Sequence, residues 1–169
     1  MPNVVFDASS IIGALLKEDS VPERALLLAR THDTICLSGA VETEIRAVSA
    51  RPKFRRYLAA GRLELILDLL KAAAVSVEST VPVTDCRDAK DNKYLELALA
   101  AGATTIVASD DDLLVLDPWR GIRIVRPLFR QQRAILARSP EPIRHRHGRA
   151  GARPGDRSAR TAGRRGLMG

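Results

Sequence analysis

The chain has 169 residues, 46% of them hydrophobic, a length and composition that suit one globular domain with a real core. No stretch approaches the roughly 20 apolar residues of a membrane span, and the opening Met-Pro-Asn lacks the basic-then-apolar layout of a signal peptide, so we expect a cytoplasmic protein. The net charge of +7 is concentrated at one end, because residues 139–169 hold eight arginines against Glu141 and Asp156, which is +6 and leaves +1 for the rest.

Short β-branched runs alternate with longer helical patterns over residues 1–137. The predicted strands are "VVFD" (4–7), "TICLS" (34–38), "VSVE" (75–78), "TTIVASD" (104–110) and "IRIV" (122–125). The predicted helices are "PERALLLAR" (22–30), "GAVETEIRAV" (39–48), "PKFRRYLA" (52–59), "LELILDLLKAA" (63–73) and "AKDNKYLELALAAG" (89–102). This alternation predicts an α/β fold, a three-layer α/β/α sandwich with a mainly parallel central sheet.

Two of the predicted strands end in aspartate, Asp7 in "VVFDASS" and Asp110 in "TTIVASDDD". Taken alone, Asp7 followed by serine is also typical of a turn or a helix cap. Parallel strands, however, place their ligands at their carboxyl ends. If both strands belong to one parallel sheet, the two carboxylates arrive at the same edge, which favours a functional site.

The stretch "SGAVETEIRAV" carries another carboxylate in an unusual place. Helical periodicity gathers its apolar residues on one stripe, and Glu44 falls on that stripe. Glu42 is predicted to face solvent, as are Arg46 and Ser49. An inward glutamate is costly to bury unless it has a positive partner.

Asp91 occupies a comparable position on the helix predicted over residues 89–102. It lies on the same face as Tyr94 and the apolar residues that follow. The alternative is structural: Asp88 caps the helix and Asp91 is the acidic residue of a capping box. The residues predicted to face solvent on this helix are Asn92, Lys93 and Glu96.

Asp7, Glu44, Asp91 and Asp110, with Asp112 close behind, would crowd one pocket with negative charge. Such a group is unstable without a cation, because like charges raise each other's pKa values. An all-oxygen site selects a hard ion, Mg²⁺ or Mn²⁺, which also accepts phosphate oxygens as ligands. The residues therefore indicate metal-dependent hydrolysis of phosphodiester bonds.

A family resemblance covers about residues 3–135. Four stretches carry it, in order and spacing: "VVFDASSIIGALL", "SGAVETEIRAVSARPKF", "DAKDNKYLELALAAGATTIVASDDDLL" and "GIRIVRP". Together they resemble the PIN-domain nucleases, particularly the toxin components of prokaryotic toxin–antitoxin systems. The resemblance implies a PIN-like fold and Mg²⁺- or Mn²⁺-dependent cleavage of single-stranded RNA, with frequent homodimers and inhibition by a small antitoxin protein.

The resemblance also implies roles for individual residues. Asp7, Glu44, Asp91 and Asp110 match the four catalytic acids of the family. Asp112 matches an accessory acid, so the implied metal ligands are Asp7, Asp91, Asp110 and Asp112. Other readings remain open, the first being an inactive PIN-like module that binds RNA or acts as a scaffold.

Ser9 matches a position where many family members carry asparagine and others serine. Its hydroxyl is expected to hold Asp7 or a metal-bound water, or else to cap the following helix. Ser9 also argues against an aspartyl phosphatase, which needs a second aspartate at that place. A phospho-receiver is disfavoured because the last strand offers Arg123 and no lysine.

The basic segment 138–169 is rich in Arg, Gly, Ala and Pro and poor in large apolar residues. We expect it to be a disordered tail after a nuclease domain of residues 1–137. The tail is either simply solvated or a non-specific RNA-binding segment, because clustered arginines attract phosphate. The arginines assigned to RNA binding are Arg144, Arg146, Arg149 and Arg153.

Overall fold

A computed structural model describes residues 1–55 and 62–130 of the chain. The elements, in chain order, are β1 (Asn3–Phe6), α1 (Ala8–Leu16), α2 (Val21–His32), β2 (Thr34–Leu37), α3 (Gly39–Ser49), α4 (Pro52–Arg55), α5 (Arg62–Ala73), β3 (Val75–Ser76), a 3-10 turn (Ala89–Asp91), α6 (Asn92–Ala100), β4 (Thr105–Val107), α7 (Asp111–Leu114) and β5 (Arg123–Val125). The end of the helix predicted over 52–59, the predicted domain boundary at 137 and the four tail arginines lie outside the described residues.

The five strands form one sheet in the order β3-β2-β1-β4-β5, and every neighbouring pair is parallel. Strands β2 and β3 are added on one side of β1, and β4 and β5 are added on its other side. Right-handed crossovers therefore place α6 on the face of the sheet opposite to α1–α5. The predicted parallel α/β/α sandwich is confirmed, and each predicted strand is present.

The core is centred on β1, where Val4, Val5 and Phe6 are each fully or almost fully buried. A strand covered on both faces reads as a continuous apolar run, which is why "VVF" shows no alternation. Burying a side chain of this size stabilises the fold by about 1.5–3 kcal/mol. Among the described residues, no helix is long and apolar enough to cross a membrane.

Helix α1 was not among the predicted elements. Most of its residues are buried, so its sequence "ASSIIGALL" shows no polar face from which a helical period could be recognised. Asp7 is the N-cap, and its side chain accepts a hydrogen bond from the backbone N–H of Ser10. The cap reading of Asp7 is therefore correct as far as local structure goes.

The carboxyl ends of β1 and β4 lie side by side at the centre of the sheet. Phe6 pairs with Val107, and the N–H of Asp7 continues the ladder by donating to the carbonyl oxygen of Val107 at 2.9 Å. The strand order reverses at this pair, and such switch points are where open parallel sheets form ligand crevices. Both strands end before the aspartates that were predicted to finish them, so Asp7 and Asp110 belong to the loops that leave this edge.

Candidate functional site

Asp7 is held rigidly at this edge by backbone donors. The residue is only 2% exposed; Oδ1 accepts from the N–H of Ser10 at 2.6 Å and Oδ2 from the N–H of Ser109 at 2.7 Å. Burial raises the pKa of the Asp7 carboxyl above its ordinary value, and hydrogen bonds from Ser10, Ser109 and the backbone of Asp110 oppose that rise. The Asp7 carboxylate thus joins the loop after β1 to the loop after β4.

The serine hydroxyl nearest to Asp7 is not the one that the sequence suggested. Ser10 is buried, its hydroxyl opposes the rise in the pKa of the Asp7 carboxyl, and its Oγ lies 3.0 Å from Oγ of Ser109. Ser9 is exposed on the first turn of α1. The N-cap is Asp7, so the capping role considered for Ser9 is wrong, whereas its accessory role in holding Asp7 or a metal-bound water stays a prediction.

Asp91 is not a capping residue in this structure. Asp88 caps the 3-10 turn by accepting from the N–H of Lys90 at 2.9 Å. Asp91 stands at the N-cap of α6 without any side-chain capping bond. It is 9% exposed, and its Oδ2 is buried with no hydrogen-bond partner among the described residues. An unpaired buried carboxylate oxygen is costly, so the position is one that a bound group would stabilise.

Glu44 contacts α6 through two donors. Tyr94 donates its hydroxyl proton to Oε2 at 2.7 Å, and Lys93 Nζ forms an ion pair with the same oxygen at 2.6 Å. Lys93 therefore faces Glu44 and is half-buried, so the prediction that it points to solvent is wrong. The sequence indicated that Glu44 needs a positive partner, and within the described residues Lys93 supplies one.

The predicted solvent faces of α3 and α6 need further correction. Ser49 is buried and donates to the carbonyl oxygen of Arg46 at 2.8 Å. Asn92 is also buried and accepts from the N–H of Cys86 at 2.9 Å. Both are small polar side chains that satisfy nearby backbone groups, which lets them occupy positions that periodicity alone assigns to solvent.

Glu42 lies in an ion-pair network on the other side of α3. Its side chain pairs with Arg46 at 3.1 Å and with Lys71 of α5 at 3.1 Å. These contacts, Lys71 first, hold the pKa of the Glu42 carboxyl below its usual range. The side chains of Glu42 and Glu44 are 20% and 24% exposed. Burial therefore does not separate the two glutamates, but their partners do.

Asp110 and Asp112 differ in their surroundings. Asp110 is exposed, caps α7 by accepting from the N–H of Asp112 at 2.9 Å, and acts on Asp91 through its negative charge. The Asp112 carboxylate forms an ion pair with Arg87. Asp112 thus has a cation of its own, whereas Asp110 acts on Asp91.

Asp7, Glu44, Asp91 and Asp110 come from four different segments, and we call them the acid cluster. Asp7 accepts from the Ser109 amide next to Asp110, and the charges of Asp110 and Glu44 act on Asp91. Within residues 1–55 and 62–130, no three Asp, Glu, His or Cys side chains already form a group that could hold a metal ion. Two observations still fit a hard divalent cation: the donors are all carboxylate oxygens, and Asp91 Oδ2 is buried with no partner in the part of the chain that the structure describes. The residues present are compatible with such an ion.

The Asp91 carboxyl should make metal-free stability depend on pH. Its pKa is raised from 3.8 to about 6, first by burial and then by the charges of Asp110, Asp88 and Glu44. Because the folded pKa exceeds the unfolded one, the stabilisation from this proton is complete below about pH 4 and is lost as pH rises through about 6.

Urea unfolding in EDTA, compared between the wild-type protein and Asp91→Asn, measures this contribution. The free-energy difference between them should change by on the order of 1 kcal/mol between pH 4 and pH 6.5 and then level off, with the variant the more stable above pH 6. Asp88→Asn is the matched control and should retain most of the slope. Parallel curves for the wild-type protein and Asp91→Asn would contradict the assignment.

Comparison with known proteins agrees with this geometry. A family model described as PIN domain matches residues 3–112, which include all four clustered acids. The chain is also 30% identical over 115 residues to an uncharacterised protein of Methanocaldococcus jannaschii, an alignment that spans 67% of this chain and 74% of the relative. Members of the matched family are generally metal-dependent nucleases that act on nucleic acid. The parallel sheet, the acids at its carboxyl edge and the family match together show that this chain belongs to the PIN-domain family.

Proposed function

We propose that this protein is a metal-dependent endoribonuclease that hydrolyses phosphodiester bonds of single-stranded RNA. The observation that carries the proposal is the buried Asp91 carboxylate: Oδ2 has no hydrogen-bond partner within residues 1–55 and 62–130, and the charges of Asp110 and Glu44 act on it. A buried carboxylate beside other negative charges destabilises the folded protein unless a cation binds there.

Each acid has a role in this proposal. Asp7, Asp91 and Asp110 would hold Mg²⁺ or Mn²⁺, and Asp112 would join them when its ion pair with Arg87 opens. The bound ion would supply an activated water and would neutralise charge on the phosphate. Glu44 would orient the attacking water, and the exposed Ser9 would hold a metal-bound water.

We further propose that the protein is the toxin of a toxin–antitoxin pair, acts as a homodimer and is inhibited by a small antitoxin. The support is the likeness of its four sequence stretches to that group of nucleases. Co-purification with the product of an adjacent short gene, together with loss of cleavage in the complex, tests this step. Cleavage unaffected by every neighbouring gene product would refute it.

An inactive PIN-like module that binds RNA is the second candidate. The observations that favour it are the ion pair between Lys93 and Glu44 and the lack, in the described part of the chain, of an assembled three-ligand group. In such a module, Lys93 would take the place of the metal beside Glu44. RNA binding that is independent of divalent ions, without any cleavage, would identify this case.

Divalent metal should stabilise the protein. An ion that binds only the folded state adds RT ln(1 + [L]/Kd), which is about 2.7 kcal/mol at a hundredfold excess over Kd. Thermal melting with EDTA, Mg²⁺, Mn²⁺ or Ca²⁺ measures this effect, and Asp91→Asn should lose most of it while Asp88→Asn retains it. A melting temperature that no divalent ion raises in the wild-type protein would contradict a metal site.

For the basic segment, we propose a boundary near residue 137, followed by a tail that adds RNA affinity without specificity. The support is its charge, since each arginine that meets a phosphate releases a counterion and steepens the salt dependence of binding. The arginines concerned are Arg144, Arg146, Arg149 and Arg153.

A further inference from the structure

Tyr94 lies where three acid-bearing segments meet. Its hydroxyl accepts from the backbone N–H of Ala8 at 3.0 Å and donates to Glu44 Oε2 at 2.7 Å. Ala8 directly follows Asp7, and Asp91 precedes Tyr94 by one helical turn on the same face. Tyr94 is only 2% exposed, so water does not compete for these bonds.

The direction of the two bonds is fixed by chemistry. A backbone N–H can only donate, so the contact with Ala8 uses a lone pair of the hydroxyl oxygen. The single hydroxyl proton is therefore directed at Glu44. The bond from Ala8 also satisfies one of the backbone N–H groups that the first turn of α1 would otherwise leave without a partner.

Both side-chain contacts of Glu44 fall on the same oxygen. Tyr94 and Lys93 bind Oε2, and within residues 1–55 and 62–130 the other oxygen, Oε1, makes no hydrogen bond. A carboxylate held at one oxygen by two donors keeps its second oxygen in a defined direction. The arrangement leaves Oε1 available for a water or a substrate group.

We propose that Tyr94 is a positioning residue of the nuclease site, whose hydroxyl fixes the Glu44 carboxylate relative to Asp7 and Asp91. This inference rests on the proposed function, because it names a residue that acts through Glu44. A phenyl ring would fill the same space. It would leave the Ala8 N–H without its acceptor and Glu44 held by Lys93 alone.

Tyr94→Phe removes one oxygen atom and tests this role by single-stranded RNA cleavage with Mn²⁺. We expect kcat to fall about tenfold while KM changes less than about twofold, since the hydroxyl orients a reacting group and does not touch RNA. Ser49→Ala is the matched control: it removes a buried hydroxyl of α3 whose one hydrogen bond, among the described residues, goes to the Arg46 carbonyl oxygen, and it should keep kcat.

A second readout does not depend on cleavage. The Mn²⁺ concentration at the midpoint of the thermal stabilisation should rise several-fold in Tyr94→Phe, because the residue next to Asp7 loses its anchor, and should stay unchanged in Ser49→Ala. Melting in EDTA verifies that both variants fold. In a Glu44→Gln background, Tyr94→Phe should lower kcat no further.

Three results would overturn the inference. The first is a lower melting temperature in EDTA with kcat and the Mn²⁺ midpoint unchanged, which would show a purely structural hydroxyl. The second is an equal loss of kcat with and without Glu44, which would show that Tyr94 acts on its own. The third concerns a wild-type protein that cleaves no RNA, a result that by itself refutes only the proposed function. If the Mn²⁺ midpoint is then also unchanged in Tyr94→Phe, this inference is overturned as well.

Discussion

Asp91→Asn should lower kcat for Mg²⁺- or Mn²⁺-dependent cleavage of single-stranded RNA by about 10²- to 10³-fold, whereas Asp88→Asn should leave it within about threefold. The reason is geometric. Asp91 has a buried oxygen without a partner among the described residues and feels the charges of Asp110 and Glu44, while Asp88 uses its carboxylate to cap the 3-10 turn. The two residues are three apart in sequence, and the substitution is the same, so the pair isolates the position of the carboxylate.

Stability separates loss of chemistry from loss of fold in this pair. Asp88→Asn should cost at most about 1 kcal/mol, because asparagine is itself a good capping residue. Asp91→Asn should raise the melting temperature in EDTA, since it removes a charge that burial disfavours. Equal cleavage by the two variants, both folded, would refute the assignment of Asp91 to the site.

Glu44→Gln should lower kcat by about 10²-fold, and Glu42→Gln should have almost no effect on it. Glu44 meets Tyr94 and Lys93 of α6, on the side of the acid cluster. Glu42 meets Lys71 of α5 instead. The two side chains are nearly equally exposed. A difference in activity would therefore come from the side of α3 on which each carboxylate lies and not from its burial.

The control for this second pair is the stability of Glu42→Gln. Its ion pairs are partly exposed, so their loss should cost less than about 1 kcal/mol, and that cost should shrink at high salt. Glu44→Gln should instead keep the Tyr94 contact through its amide oxygen. An equal loss of cleavage in both variants would mean that Glu44 has no role in the site that Glu42 lacks.

The sheet and its acids were predictable because they follow from local rules. Apolar runs that end beside aspartate gave β1 and β4, and their parallel order brought Asp7 and Asp110 together. Helical periodicity singled out Glu44 and Asp91 as candidates, although it wrongly assigned Ser49, Asn92 and Lys93 to solvent. The positions of the strands and helices need only the spacing of residue types along one segment, whereas the pairing of β1 with β4 was inferred from the alternation of strands and helices.

The parts that could not be predicted depend on contacts between distant segments. In the sequence, Tyr94 resembles an ordinary aromatic residue of the core. Only the structure shows that its hydroxyl contacts Glu44 of α3 and the backbone of Ala8. The sequence predicts Lys93 to be a surface residue, because the packing of α3 that brings Glu44 next to it is not visible in the sequence. The single available signal was that a buried tyrosine needs a partner for its hydroxyl, and that signal does not name the partner.

The bond from the Ser109 amide to the Asp7 carboxylate spans 102 residues of sequence. During translation, Asp7 therefore leaves the ribosome long before the amide that orients it has been made. A nascent chain that ends before β4 has neither Ser109 nor Asp110 and cannot assemble the acid cluster, however well its first half folds. The acid-bearing edge of the sheet can therefore form only after β4 and the loop that follows it have left the ribosome.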